Sequence, residues 1–208
     1  AVETPGPFGE ASRVLDSRIE ELAERQRDLN RRAEALQHGE PPKTWVLKTP
    51  VYLLMLDLLL ETYPDAHVVV THRDPAKTAP SSLSTLATVR WLRSDAVDLD
   101  AMDGYASGLL LLMLTERSKS GTLPARTYDL LFADLMQDPV AALERLYDAM
   151  GRPFLPEHAD AVRTYLARKP KGKHGAHRYT AADWGLDERR IREQLAPYVE
   201  HYGVPLER

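Results

Sequence analysis

The sequence predicts an α/β fold with a parallel sheet flanked by helices, and three observations carry that expectation. The run His67 to Val70 is apolar without alternation, as in a strand covered on both faces. Trp45-Val46-Leu47 reads as an earlier strand joined to it through a helix-spaced segment, so the pair forms a right-handed βαβ crossover. Ala125 to Phe132 reads as a third strand, and the stretches between carry helical periodicity closed by glycine or proline.

In chain order, residues 1 to 9 are turn-rich. Between Glu10 and about Leu36, Leu15, Leu22, Leu29 and Leu36 recur every seven residues among charged groups, which spells a long amphipathic helix. That spacing also offers a seam for a homo-oligomer, although Gln26 and Ala33 weaken it and packing onto the same chain is the favoured role. Gly39, Pro41 and Pro42 end the helix. Pro50 opens the next one, with Leu53, Leu54 and Leu58 on its apolar side. After the His67 to Val70 strand, Pro80 lacks the donor that a helix interior needs, so the reading is a tight turn over Asp74 to Ala79 and a helix from Ser81 to Arg93.

Met102 to Lys119 is an apolar helix closed by Gly121 and Pro124. Asp138-Pro139 caps and starts another, with Val140, Leu143, Tyr147 and Met150 inward and Gly151 as its stop. A short helix covers Glu157 to Arg168. The segment Lys169 to Trp184 breaks all periodicity, and a final helix carries Ile191, Leu195, Tyr198, Val199 and Tyr202 inward before Gly203. With no internal repeat or low-complexity linker, residues 1–208 read as a single domain, a helical N-terminal extension over 10–38 preceding an α/β core over 44–208.

Composition excludes several function classes. A net charge of -4 and a pI near 6.0 argue against general nucleic-acid or membrane-surface binding, since both favour a basic excess. The absence of cysteine removes disulfides, thiolate catalysis and cysteine-ligated metal. Apolar runs fall far short of the ~20 residues that span a bilayer. The default reading is a soluble, cytoplasmic protein.

Chemistry concentrates at the strand exits, where open parallel sheets bind ligands. Arg73 follows the His67 to Val70 strand, and arginine grips phosphate by two parallel hydrogen bonds. Ser81 or Ser82 begins the following predicted helix, where a hydroxyl and free N–H groups favour an anion. The plainer alternative pairs Arg73 with Asp74 or Asp134 and leaves the serines as caps. Lys48 leaves the Trp45 to Leu47 strand, and two cations at adjacent strand ends repel unless an anion sits between them. Lys169, Lys171, Lys173, His174, His177 and Arg178, interleaved with Gly172 and Gly175, can wrap phosphate or form a solvated basic loop. His174 and His177 have no third ligand at a recognisable spacing, so a metal is discounted. Phe132 is either core or a ring face on which a base stacks.

Taken together, WVLKTP, THRDP with Ser81 eight positions after Arg73, FADLMQDP and the late KGKHG loop resemble, in this order, the bacterial branch of the sulfotransferases that use 3′-phosphoadenosine 5′-phosphosulfate. The resemblance covers Trp45 to the C-terminus. It implies a P-loop-like three-layer fold, incomplete at the N-terminus, and sulfuryl transfer from that nucleotide to a hydroxyl or amine of a small-molecule, lipid or carbohydrate acceptor, leaving adenosine 3′,5′-bisphosphate. It also implies that Arg73 and Ser81 hold the 3′-phosphate and that Lys171, Gly172, Lys173 and Gly175 close over it. Phe132 would lie at the adenine and Lys48 near the sulfuryl group. Pro50 stands where cytosolic relatives have histidine, which leaves the general base unassigned, with His72 as one candidate.

The family's phosphosulfate loop has no counterpart here: Gly6-Pro7-Phe8-Gly9 carries neither its cation nor its hydroxyls. The chain resembles a family member without its beginning and an internal stretch. An acceptor pocket is expected around Asp95 to Gly108. A P-loop-type kinase lacks a Walker lysine here, and a non-catalytic nucleotide-binding module derived from the same fold is the other alternative.

Overall fold

A computed structural model describes residues 20, 21, 24, 27, 28, 31, 44–96, 98, 106–169 and 180–207. Two compact units divide the chain, Ala1–Ala66 and His67–Arg208.

In the first unit, Glu20, Glu21, Glu24, Arg27, Asp28 and Arg31 are helical, within the amphipathic stretch expected there. Arg31 pairs with Asp28 at 3.5 Å, three residues back on the same side. The leucine seam itself lies outside the described residues. Trp45-Val46-Leu47 is a correction: it forms no strand, and the three side chains are 60%, 88% and 50% exposed. An apolar triplet makes a strand only when a neighbour takes its N–H and C=O groups, and no described residue does so. A 3-10 turn, Pro50–Met55, runs into helix α1, Leu56–Thr62. Leu56 is buried, and the Tyr63 N–H closes the helix on the Leu59 carbonyl.

The second unit holds a parallel pair of strands, β1 (Val68–His72) and β2 (Thr127–Leu131), in the register Val68 to Thr127 through His72 to Leu131. The connection between them is α2 (Pro75–Trp91) followed by α3 (Ala106–Lys119). The observed parallel pair therefore joins the second and third expected strands. In β1, Val70 and His72 are buried while Val69 and Thr71 are exposed, so one face is packed among the described residues where two were expected.

Helix α2 is continuous from Pro75, six residues before the expected start at Ser81, and Pro80 lies inside it. The missing donor costs about 3 kcal/mol in an ordinary helix interior. Burial offsets it here. Ala76, Ala79, Leu83 and Ala87 line one face of α2 and form a core with Leu186, Ile191 and Leu195, and Pro80 is buried too. Small side chains on that face let the neighbouring backbones approach closely.

Beyond β2 come α4 (Phe132–Gln137) and α5 (Pro139–Ala149). Helix α5 starts as expected, with Asp138 accepting from the Ala141 N–H and Pro139 in its first turn. Ala142 and Leu146 pack on Leu130 of the sheet. Helix α6 covers Pro156–Arg168. The expected single C-terminal helix is two, α7 (Glu188–Gln194) and α8 (Ala196–Tyr202). Pro197 explains the break, because it has no N–H for a carbonyl of the preceding turn. The inward positions survive it: Ile191, Leu195 and Tyr198 are all buried.

Candidate functional site

The described chemistry gathers at the carboxyl end of β1. His72 is the last residue of the strand, and Asp74 ends the loop that turns the chain into α2. Because side chains alternate along a strand, His72 shares the buried face with Val70. Its Nε2 lies 2.8 Å from Asp129 Oδ1 on β2, and its Nδ1 lies 3.1 Å from the Tyr198 hydroxyl on α8. In the tautomer that carries its proton on Nε2, the imidazole donates to Asp129 and Nδ1 accepts from the tyrosine O–H. Tyr202 stacks on the imidazole at 4.1 Å between centroids. Burial pushes the Tyr198 and Tyr202 phenols up, and both are neutral at physiological pH. The backbone of Arg73 also hydrogen-bonds the Tyr198 hydroxyl. Both imidazole nitrogens are thus engaged in tying β1, β2 and α8 together.

Arg73 emerges from this clamp. Its guanidinium carbon stands 4.3 Å from the centroid of the Phe132 ring, a cation–π contact across the ends of the two strands. Nε donates to Glu207 Oε1 at 2.6 Å and Nη2 donates to Glu207 Oε2 at 2.8 Å. Asp74 and Asp134, the partners weighed from sequence, go elsewhere: Asp74 to Arg192 and Asp134 to Arg145. The hydrogen bond from Arg73 holds the Glu207 carboxyl below its ordinary range.

Asp74 underlies this pair. It is fully buried, caps α2 through the Ala76 N–H at 2.9 Å, and accepts from the Glu207 N–H at 2.8 Å. Arg192 of α7 reaches it through Nη2 at 2.6 Å and also donates to the Glu207 carbonyl at 2.8 Å. Burial raises the Asp74 carboxyl, but the Arg192 hydrogen bond and the two backbone N–H groups outweigh it and hold the group below its ordinary range. Arg192 in turn is raised, first by its bond to Asp74. Lys77 and Glu188, 2.9 Å apart, flank the network. The result is a chain of two ion pairs, Arg192 with Asp74 and Glu207 with Arg73, joined by the Glu207 N–H on the Asp74 carboxylate and the Arg192 guanidinium on the Glu207 carbonyl.

The other sequence-predicted residues fall as follows. Ser81 lies in the interior of α2, half-buried, its carbonyl accepting from Thr85 Oγ1. It therefore does not supply the free N–H groups of a helix start. Phe132 opens α4 directly after β2 and is half-buried. Lys48 is exposed in the first unit, in the extended segment before Pro50. Lys171, Gly172, Lys173 and Gly175 lie outside the described residues. A hollow of about 280 Å³ opens at the opposite end of α2, lined by Val89, Arg90, Arg93, Ser94, Ala96 and Asp98. It borders the stretch expected to shape an acceptor pocket, most of which is likewise outside the described residues.

Sequence reasoning missed Glu207 and Arg192. Neither sits in a motif, and their partners lie 134 and 118 positions away. The donor set at Arg73 fits a phosphate group: two N–H groups already engage a two-oxygen anion side by side, with an aromatic ring against the guanidinium. Among the described residues no cluster of His, Asp or Glu could hold a metal ion, and no helix is long and apolar enough to cross a membrane.

Known proteins share this fold. The crystal structure of sulfotransferase STF9 from Mycobacterium avium superposes with a TM-score of 0.62 at 23% identity, over 80% of this chain and 43% of that one. Sulfotransferase STF1 from Mycobacterium tuberculosis H37Rv gives 0.52 at 27% identity, over 74% of this chain and 40% of that one. Among curated proteins, the omega-hydroxy-beta-dihydromenaquinone-9 sulfotransferases Stf3 of Mycobacterium bovis and Mycobacterium tuberculosis are each 27% identical over 172 residues, 80% of this chain. The chain spans 41% of the length of these curated relatives. Residues 10–157 match the profile of the sulfotransferase family, a stretch that includes β1, Arg73, β2 and Phe132, and the chain belongs to that family.

Proposed function

We propose that this chain carries part of the donor site of a sulfotransferase, one that moves a sulfuryl group from 3′-phosphoadenosine 5′-phosphosulfate to a hydroxyl or amine acceptor. The observation that carries this reading is Arg73 at the end of β1, with two N–H groups on a carboxylate and its guanidinium against Phe132. Arg73 holds the 3′-phosphate of the nucleotide, and Phe132 offers a ring at the adenine. Ser81 and the loop containing Lys171, Gly172, Lys173 and Gly175 complete the phosphate site. Lys48 is the cation for the sulfuryl group in transit, where stabilising developing charge is the main work of such a site.

His72 serves by holding. Its ring is fully buried and both nitrogens are engaged, so it fixes the strand end from which Arg73 projects. The base that deprotonates the acceptor is another group. Two curated relatives are named for an omega-hydroxylated dihydromenaquinone, which favours a hydroxyl acceptor of lipid-like character here.

The reading is tested by calorimetric titration of adenosine 3′,5′-bisphosphate and adenosine 5′-monophosphate. Arg73→Ala is expected to weaken bisphosphate binding by ~1.5–3 kcal/mol, the value of a charged hydrogen bond, and to leave the monophosphate nearly unaffected. Equal losses for both nucleotides would sink the assignment of Arg73 to the 3′-phosphate.

A further inference from the structure

Glu207 meets Arg73 with the two-oxygen geometry that a phosphate would use. Its backbone is held independently of its side chain, by Asp74 at the N–H and by Arg192 at the carbonyl, both at 2.8 Å. The carboxylate can therefore swing away by side-chain rotation alone while the strap Val204 to Glu207 stays in place. Both side chains are about one-third exposed, 35% for Arg73 and 34% for Glu207, so an anion from solvent can reach the pair. Lys77, held by Glu188 at 2.9 Å, adds positive charge to the same neighbourhood.

We propose that Glu207 is an internal competitor for Arg73 that sets the affinity of this site for phosphate. The proposal rests on the reading of Arg73 as the 3′-phosphate ligand. Binding of a 3′-phosphate is then an exchange of one anion for another on the same guanidinium. A nucleotide without that phosphate leaves the Arg73–Glu207 pair intact and is indifferent to it. The consequence for turnover concerns the bisphosphate product, which keeps its 3′-phosphate: a carboxylate waiting beside Arg73 favours its departure. Glu207 thus lowers the preference of the site for the 3′-phosphate, and its charge is the quantity that does so.

The test titrates adenosine 3′,5′-bisphosphate and adenosine 5′-monophosphate into the wild-type chain, Glu207→Gln and Glu207→Ala, with a thermal melt of each. The glutamine keeps the shape of the side chain and the alanine removes it. Both variants are expected to bind the bisphosphate about tenfold more tightly, equivalent to about 1.4 kcal/mol, with monophosphate affinity unchanged. If the wild-type chain binds the bisphosphate selectively and neither variant binds it more tightly, Glu207 is a support for Arg73 and the proposal is overturned alone. If the wild-type chain does not distinguish the two nucleotides, the proposed function falls and this inference falls with it.

Discussion

Replacing Asp74 with alanine should cost about 4 kcal/mol of folding stability, and the structure shows where each part comes from. The carboxylate caps α2 through the Ala76 N–H, a contact worth about 1 kcal/mol. Its loss also strips the Glu207 N–H of its acceptor, about another 1 kcal/mol. The largest share is the pair with Arg192. Breaking a buried ion pair costs about 3–5 kcal/mol, but Arg192 is 26% exposed and keeps the Glu207 carbonyl at 2.8 Å and Glu188 at 3.6 Å, which brings its share to about 2 kcal/mol. For a chain of this length the sum corresponds to a fall in Tm of roughly 8–16 °C. Urea unfolding followed by circular dichroism measures it, as a lower midpoint at unchanged slope. Asp138→Ala is the internal control: Asp138 caps α5 by the same chemistry, but it is exposed and bonded to the Ala141 N–H at 3.0 Å. It should lose only about 1 kcal/mol. Equal losses at the two aspartates, or less than about 1 kcal/mol at Asp74, would refute the idea that the buried network holds the strand exit together.

Two further outcomes follow from the same contacts. Asp74 and Glu207 both have folded-state carboxyls depressed below their ordinary values of 3.8 and 4.5, so the stability they contribute is present above those values and is lost as pH falls through the folded ones. Thermal melts should be flat from neutrality to about pH 5 and decline below it, and Asp74→Ala should show a shallower decline; an identical acid slope in the variant would contradict the assignment. Tyr198→Phe removes the hydroxyl 3.1 Å from His72 Nδ1 and leaves that buried nitrogen without its tyrosine donor, at about 1–2 kcal/mol by urea unfolding. A neutral result would show that the clamp around His72 does not contribute to stability.

What could be read from the sequence depended on the range of the forces involved. The strand at Val68, the proline-started helix after Asp138 and the stops at Gly151 and Gly203 are set by neighbours within a few residues, and all are where the pattern placed them. Pro80 misled for the same reason. Its local cost was legible, whereas the burial that offsets it comes from Ile191 and Leu195, more than a hundred residues away. Trp45 to Leu47 failed because a strand needs a partner and an apolar triplet cannot name one. Arg73 was identifiable from its place after an apolar strand, and the ring of Phe132 beside it was one of two open readings. The carboxylate on Arg73 was not, since nothing in the sequence around Glu207 distinguishes it from the chain's other glutamates.

The distance in sequence between Arg73 and Glu207 also bears on how the protein is made. A ribosome adds roughly 5–20 residues per second. The 134 positions between the two side chains therefore take on the order of 7–27 s to synthesise after Arg73 has been added. β2 is added within the first half of that interval, so β1 gains its strand partner early, whereas Arg73 still lacks its carboxylate and His72 lacks the tyrosines of α8 that later cover it. The Arg73–Glu207 pair therefore forms after the two strands that position it, and a nascent chain stalled before α7 would present paired β1 and β2 with Arg73 not yet on its carboxylate.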